Sequence, residues 1–143
     1  MLTSQELTNM LREHGYKVTP QRLAVYEALA DEIWHPNAEM LYKKLQPKFP
    51  AMSFATVYKS IEILHAINVI KVLNIGEDSY RYDANITEHC HLHCLQCGRV
   101  GDAMPDGAAA DNLTQLVEAS SGYAINTRQF FFYGLCPECR RVH

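Results

Sequence analysis

Ser53-Phe54-Ala55-Thr56-Val57-Tyr58-Lys59-Ser60-Ile61-Glu62-Ile63-Leu64, then Val69-Ile70-Lys71-Val72-Leu73, then Ser79-Tyr80-Arg81-Tyr82: on this succession the fold of the chain turns. Ser53 is a helix N-cap residue, and Phe54, Val57, Ile61 and Leu64 recur at helical spacing as a core-facing set. The two runs that follow flank Gly76-Glu77-Asp78 and read as a β-hairpin with glycine in its turn. With the apolar set inward, Ala55, Thr56 and Lys59 face outward and Tyr58 lies at the boundary. Small, hydroxyl, aromatic and basic groups at a helix N-terminus suit docking into a DNA major groove. The small residues permit close approach, the Tyr ring or Thr methyl meets a thymine methyl, and Lys reaches a guanine edge or a phosphate. The plain alternative is an amphipathic helix with one solvated lysine.

Three helices lead up to this one. Thr3 with Glu6 forms a capping-box pattern, Leu7, Met10 and Leu11 follow on one face, and Gly15 stops the helix. Thr19-Pro20 starts a second helix, with Leu23, Val25, Tyr26 and Leu29 apolar. Asn37 caps a third, with Met40, Leu41 and Leu45 apolar and Pro47 at its end. Helices followed by a hairpin make a winged helix-turn-helix, expected over residues 1–82. The net charge of −3 argues against a nucleic-acid partner until its distribution is read. Between Met40 and Ile61 stand Lys43, Lys44, Lys48 and Lys59 and no acidic residue.

The remainder, 83–143, reads as a second, small α/β domain, with the boundary near Asp83–Thr87. Extended pieces are expected around His89–Leu95 and Arg99–Ala103. A helix is expected near Ala108–Ser120, with Leu113, Leu116 and Val117 apolar and Gly122 past its end. A strand is expected over Tyr123–Leu135. The fold class is therefore α+β. With 143 residues, each domain has a thin core. No apolar run approaches the roughly 20 residues that span a bilayer, and the N-terminal residues lack the pattern of a secretory signal, so a cytoplasmic protein without a membrane partner is expected.

Cys94-Leu95-Gln96-Cys97 and Cys136-Pro137-Glu138-Cys139 are two matched knuckles. Two such turns complete a tetrahedral four-thiolate shell, and a closed shell is the mark of structural zinc, one ion per subunit. A redox pair, an iron–sulfur centre and unpaired buried thiols are the alternatives. Just before the first knuckle stands Glu88-His89-Cys90-His91-Leu92-His93. On a strand, His89, His91 and His93 share one face, with Cys90, Leu92 and Cys94 on the other. Imidazoles at this spacing with carboxylates in reach make a nitrogen/oxygen site for a divalent metal, as against a polar strand of solvated histidines. His35-Pro36, Asp83 and Asp102 read alone as a turn residue and surface carboxylates.

Thr19-Pro20-Gln21-Arg22, His35-Pro36, Ala55-Thr56-Val57-Tyr58, His89-x-His91-x-x-Cys94-x-x-Cys97-Gly98 and Cys136-x-x-Cys139, in this order, resemble the ferric uptake regulator family over nearly the whole chain. The resemblance implies a homodimeric, metal-dependent repressor of palindromic operator DNA, with the second domain as its dimerisation domain. It implies no enzyme. It also implies a regulatory metal site whose ligands match His35, Asp83, His89, His91 and Asp102. Asp102, five residues after Cys97, is the residue type of the peroxide-sensing branch, where iron sensors usually carry Glu. That branch implies Fe2+ or Mn2+ in the regulatory site and oxidation of His35 and His89. DNA contacts would match Tyr58 and Lys59 in the major groove and Lys17 in the minor groove. Cys90, where Tyr or Asp is more familiar, and the extra His93 depart from the pattern and are further ligand candidates. They keep Ni2+ and Zn2+, and a metal-homeostasis repressor, as the alternative. A further site seen in some relatives uses a late histidine. The matching stretch here is Thr127-Arg128-Gln129, so that site is expected to be absent. Two rivals lie outside the family: a metal-dependent hydrolase, for which no nucleophile constellation speaks, and a zinc-ribbon module that does not bind DNA.

Overall fold

The computed structural model describes residues 1–31, 35–76, 78–104 and 106–142. It divides into two compact units, Met1–Ile86 and Thr87–His143.

The first unit opens with four helices, α1 (Ser4–Glu13), α2 (Pro20–Ala30), α3 (Ala38–Leu45) and α4 (Phe54–Ala66). Each begins where a side chain can accept a backbone N–H otherwise left without an intrahelical partner. Thr3, Thr19, Asn37 and Ser53 accept from the amides of Glu6, Arg22, Met40 and Thr56. At α1 the capping box is complete, since the Glu6 carboxylate accepts the Thr3 N–H at 2.7 Å. That bond, then one from the Thr3 hydroxyl, holds the Glu6 carboxyl below its ordinary range. Helix α4 packs on α2 and α3 and carries the inner stripe Val57, Ile61 and Leu64. Leu7, Leu11, Val25, Leu29, Leu41 and Leu45 close the core around it. Strands β1 (Lys71–Leu73) and β2 (Arg81–Asp83) form the antiparallel hairpin, pairing Lys71 with Asp83, Val72 with Tyr82 and Leu73 with Arg81. Glu77 of the expected turn lies outside the described residues.

Two apolar expectations fail here. Phe54 is 41% exposed, because the first residue of α4 precedes the turn that meets the core. Its ring instead packs edge-on against Tyr42 and Tyr58, with centroids 5.7 and 5.5 Å away. Met40 is also exposed rather than part of the inner face of α3. The division between the units falls after Ile86. Asp83 is laddered to Lys71, so it belongs to the first unit, which extends past Tyr82 to Ile86.

The second unit is a three-stranded sheet of order β4-β3-β5, made of β3 (Cys90–Cys94), β4 (Val100–Ala103) and β5 (Phe130–Gly134). Strand β3 is central, antiparallel to β4 and parallel to β5. The parallel pair needs a crossover, and α5 (Gly107–Ser121) lies within it, capped by Asp106 and ended by Gly122 at φ +76°. A short α6 (Pro137–Arg141) follows. The expected strand Tyr123–Leu135 shrinks to its last third. Upstream of β5, the Ile125 N–H goes to the Glu118 carboxylate and Arg128 goes to Glu88 and Asp111, so side chains rather than a ladder hold this stretch. Helix α5 buries none of its described residues. No helix among the described residues is long and apolar enough to cross a membrane.

Candidate metal centres and the α4 surface

The four knuckle sulfurs converge. Cys94 ends β3, Cys97 lies in the turn that Gly98 closes at φ +73°, Cys136 immediately precedes α6, and Cys139 is in its first turn. The left-handed backbone at Gly98 lets its N–H return to the Cys94 carbonyl at 2.9 Å, which folds both thiols to one side. One sulfur from each residue lies within 4.8 Å of the others, and Cys97 Sγ is 3.8 Å from Cys136 Sγ. A tetrahedral shell with Zn–S bonds of ~2.3 Å has edges of about 3.8 Å. The four sulfurs therefore fit zinc in both spacing and chemistry.

Their acidities differ. Backbone N–H groups of Cys97 and then Cys136 pull the Cys94 thiol down to about 6. The Cys136 thiol, then burial, pushes Cys139 up to about 12. The backbone thus favours the thiolate at Cys94, and coordination to a cation is what deprotonates metal-binding thiols in general. Arg99 and Glu138, joined at 2.8 Å, tie the two knuckles together.

The histidine segment supplies a second donor group. His89 and His91, two residues apart, present their rings on the same side, with centroids 4.5 Å apart. The antiparallel register sets Asp102 of β4 opposite His91. Asp102 Oδ1 lies 3.2 Å from His89 Nε2 and 3.8 Å from His91 Nε2. Bonds of ~2.1 Å to a metal require neighbouring donors about 3.0 to 3.4 Å apart, so small adjustments suffice for one ion. His89 Nδ1 lies 2.7 Å from the Thr87 carbonyl. A carbonyl only accepts, so Nδ1 carries a proton there, and Nε2 is the nitrogen turned toward Asp102 that a metal would take. The His91 ring stacks on Phe131, which limits its rotation.

In the first unit His35 and Asp83 form their own pair, both buried, with Nδ1 3.5 Å from Oδ1. His93 takes a different course from His89 and His91. Its ring meets Tyr133 edge-on, and it belongs to neither donor cluster. Cys90 is buried in β3 between Ala103 and Phe130, also outside both clusters.

On α4, Ala55, Thr56, Tyr58 and Lys59 are all exposed, as is Lys17. Lys59 pairs with Glu62 at 3.6 Å, and the Lys17 carbonyl accepts from the Arg22 guanidinium. The Tyr82 phenol is held above its ordinary range by burial and by Tyr58.

Two arginines carry structure that spacing did not reveal. Arg128 donates to Glu88, Asp111 and Thr114 at 2.6 to 2.9 Å, and the two carboxylates hold its pKa above the usual arginine value. Arg81, buried in β2, donates to the His35 carbonyl. The sequence shows only that Arg81 lies between two tyrosines on an expected strand.

The ferric uptake regulator family model matches residues 13–133. The chain belongs to the ferric uptake regulator family. It is thus a member of a family of metal-dependent transcriptional regulators. It is 42% identical over 135 residues to the transcriptional regulator PerR of Clostridium acetobutylicum, covering 94% of this chain and 96% of the relative. It is 35% identical over 137 residues to the peroxide operon regulator of Bacillus subtilis, covering 96% and 93%. Among solved structures, the Campylobacter jejuni peroxide stress regulator superposes with a TM-score of 0.72 at 32% identity, over 94% of this chain and 99% of that one. The four-cysteine cluster and the α+β architecture accord with the fold of this family of regulators.

Proposed function

We propose that this member of the ferric uptake regulator family is a homodimeric repressor that binds palindromic operator DNA and responds to peroxide through a regulatory metal. The carrying observation is the donor set His89, His91 and Asp102 around a common point, with Asp rather than Glu at position 102. Three donors leave an ion of Fe2+ or Mn2+ type short of its preferred coordination. His35 and Asp83, paired in the other unit, supply the remainder, so the ion links residues of 1–86 to residues of 87–143. Cys94, Cys97, Cys136 and Cys139 hold a structural zinc. Cys90 and His93 are spectators of the regulatory site.

Dimerisation uses the second unit. Leu113, Leu116 and Val117 of α5 and Phe132 and Tyr133 of β5 are exposed in the single chain, an apolar surface that a second copy would cover. The reading surface is Ala55, Thr56, Tyr58 and Lys59, with Lys17 reaching the minor groove. An ion gripped by both sets of ligands fixes the angle between a subunit's two units. In the dimer that angle sets the spacing of the two α4 helices against half-sites about one helical turn apart. Metal therefore favours the DNA-competent form by differential affinity. His35, Asp83, His89, His91 and Asp102 would hold the ion, and ferrous iron there would promote cleavage of the peroxide O–O bond. One oxygen atom would go to the imidazole of His35 or His89, whose ring supplies the two electrons, the other would leave as water, and the damaged ligand would let the metal go. The protein acts in the cytoplasm and turns over no substrate.

The test is mass spectrometry of His35 and His89 peptides after peroxide treatment of the Fe2+ and Mn2+ forms. A gain of one oxygen confined to the Fe2+ form supports the reading. Equal masses in both forms reject peroxide sensing by this route and leave a metal-homeostasis repressor.

A further inference from the structure

Three consecutive residues of β2 grip the chain at His35-Pro36. The Arg81 guanidinium donates to the His35 carbonyl at 3.3 Å. The Tyr82 N–H donates to the Pro36 carbonyl at 3.1 Å. The Asp83 carboxylate lies 3.5 Å from the His35 imidazole and accepts the Asn85 N–H at 2.8 Å. Residues two apart on a strand share a face, so Arg81 and Asp83 reach His35 from the same side, one at its backbone and one at its ring. The same guanidinium lies 3.9 Å from the sulfur of Met40.

His35 needs such a hold. Its φ is +46°, in the left-handed region that a residue with a Cβ seldom occupies. A conformation of that kind persists only where its surroundings over-determine it, and it aims the side chain in a direction the ordinary backbone would not. Arg81 is itself buried, and a charged group in that position is retained where its hydrogen bonds are satisfied.

We infer that Arg81 is a positioning residue for the regulatory metal: through the His35 carbonyl it holds the left-handed turn that presents the His35 imidazole beside Asp83. This rests on the reading of His35 as a metal ligand. It adds that Arg81, and not the ligands alone, sets affinity at the site. Loss of a group that orients a ligand typically lowers metal affinity by about 10- to 100-fold.

The test uses the zinc-loaded full-length protein. Mn2+ is titrated calorimetrically into wild type, R81M, R81K, V72A and H35A, and Tm is measured before Mn2+ is added. Val72 pairs with Tyr82 across the hairpin and is not one of the residues that hold His35, so V72A reports the effect of a loosened hairpin alone. R81M is expected to lose about tenfold or more in Mn2+ affinity, R81K less, and V72A none at a comparable fall in Tm. In the manganese-free protein, the His35 Cα chemical shift is expected to leave its left-handed range in R81M. Should R81M not fold, R81K decides: a lower Mn2+ affinity at wild-type Tm supports the inference, and wild-type affinity overturns it. It is also overturned if R81M binds Mn2+ as wild type does, or if V72A loses as much affinity as R81M. H35A separates the two layers. Unchanged Mn2+ affinity in H35A overturns the reading of His35 as a ligand, whereas a loss in H35A without one in R81M overturns only the role of Arg81.

Discussion

The two units reach stability by different means. Met1–Ile86 buries a continuous apolar core and satisfies the start of each of its four helices with a side-chain cap. Thr87–His143 is smaller, and its one long helix buries no described residue. Leu116 of that helix is 67% exposed. What holds the second unit is the sheet, the four convergent thiols, and Arg128, which fastens α5 to the residue ahead of His89. A unit of this size gains from a metal staple and a partner surface what a thin core cannot supply. The lesson is a division of labour: the first unit stands by burial, and on the proposed function zinc and a partner copy would supply what the second lacks.

Zinc removal should break the comparison most sharply. Structural zinc contributes on the order of 10 kcal/mol or more to small domains. Chelation, or Cys97→Ser, is expected to abolish the cooperative melt and amide protection of residues 87–143 while the helices of 1–86 stay protected, as read by hydrogen exchange. Equal loss in both units would contradict the division. Next comes the partner surface. Leu116→Glu places a charge on the apolar face of α5, and each buried unpaired charge costs about 3 to 5 kcal/mol. Analytical ultracentrifugation should then show monomers that retain zinc. The reciprocal change falls on the first unit. Leu64→Ala removes a side chain with no exposure from the core and is expected to cost about 3 kcal/mol. It should lower the melting of the helical unit and leave zinc content untouched.

The smallest effect is a titration. Glu6 has a folded pKa below its ordinary 4.5 because the Thr3 N–H donates to it. A depressed carboxyl contributes stability that is present above the unfolded pKa and is lost as pH falls through the folded one. The protection factors of the first amides of α1, corrected for the intrinsic pH dependence of exchange, should therefore fall on acidification below pH 4.5. In Glu6→Gln that pH dependence should disappear.

Much of this was legible in the residues themselves. The caps at Thr3, Thr19, Asn37 and Ser53 are local, since each partner is three residues away, and the sequence displays them. The Cys pairs and the alternation of His89 with His91 are equally local, and the family-wide order of motifs led to His35, Asp83 and Asp102. Contacts made by the tertiary fold were hidden. Arg81 meets His35 across 46 residues, and Arg128 meets Glu88 across 40, with no periodicity to announce either. Residues upstream of β5 look like a strand by composition, but Arg128 and Glu118 supply their bonds, so tertiary partners override propensity. Phe54 has the right spacing for the core and the wrong position, one residue into its helix. His93 has the right spacing for the metal cluster, yet its ring goes to Tyr133.

The most direct measurement is operator affinity, by fluorescence anisotropy at fixed salt, of zinc-loaded wild type and Asp102→Ala, each with and without Mn2+. The account predicts that wild type gains about 10- to 100-fold in affinity on adding Mn2+ and that Asp102→Ala does not. Manganese-free, zinc-loaded wild type that already binds the operator as tightly as the manganese form would contradict it.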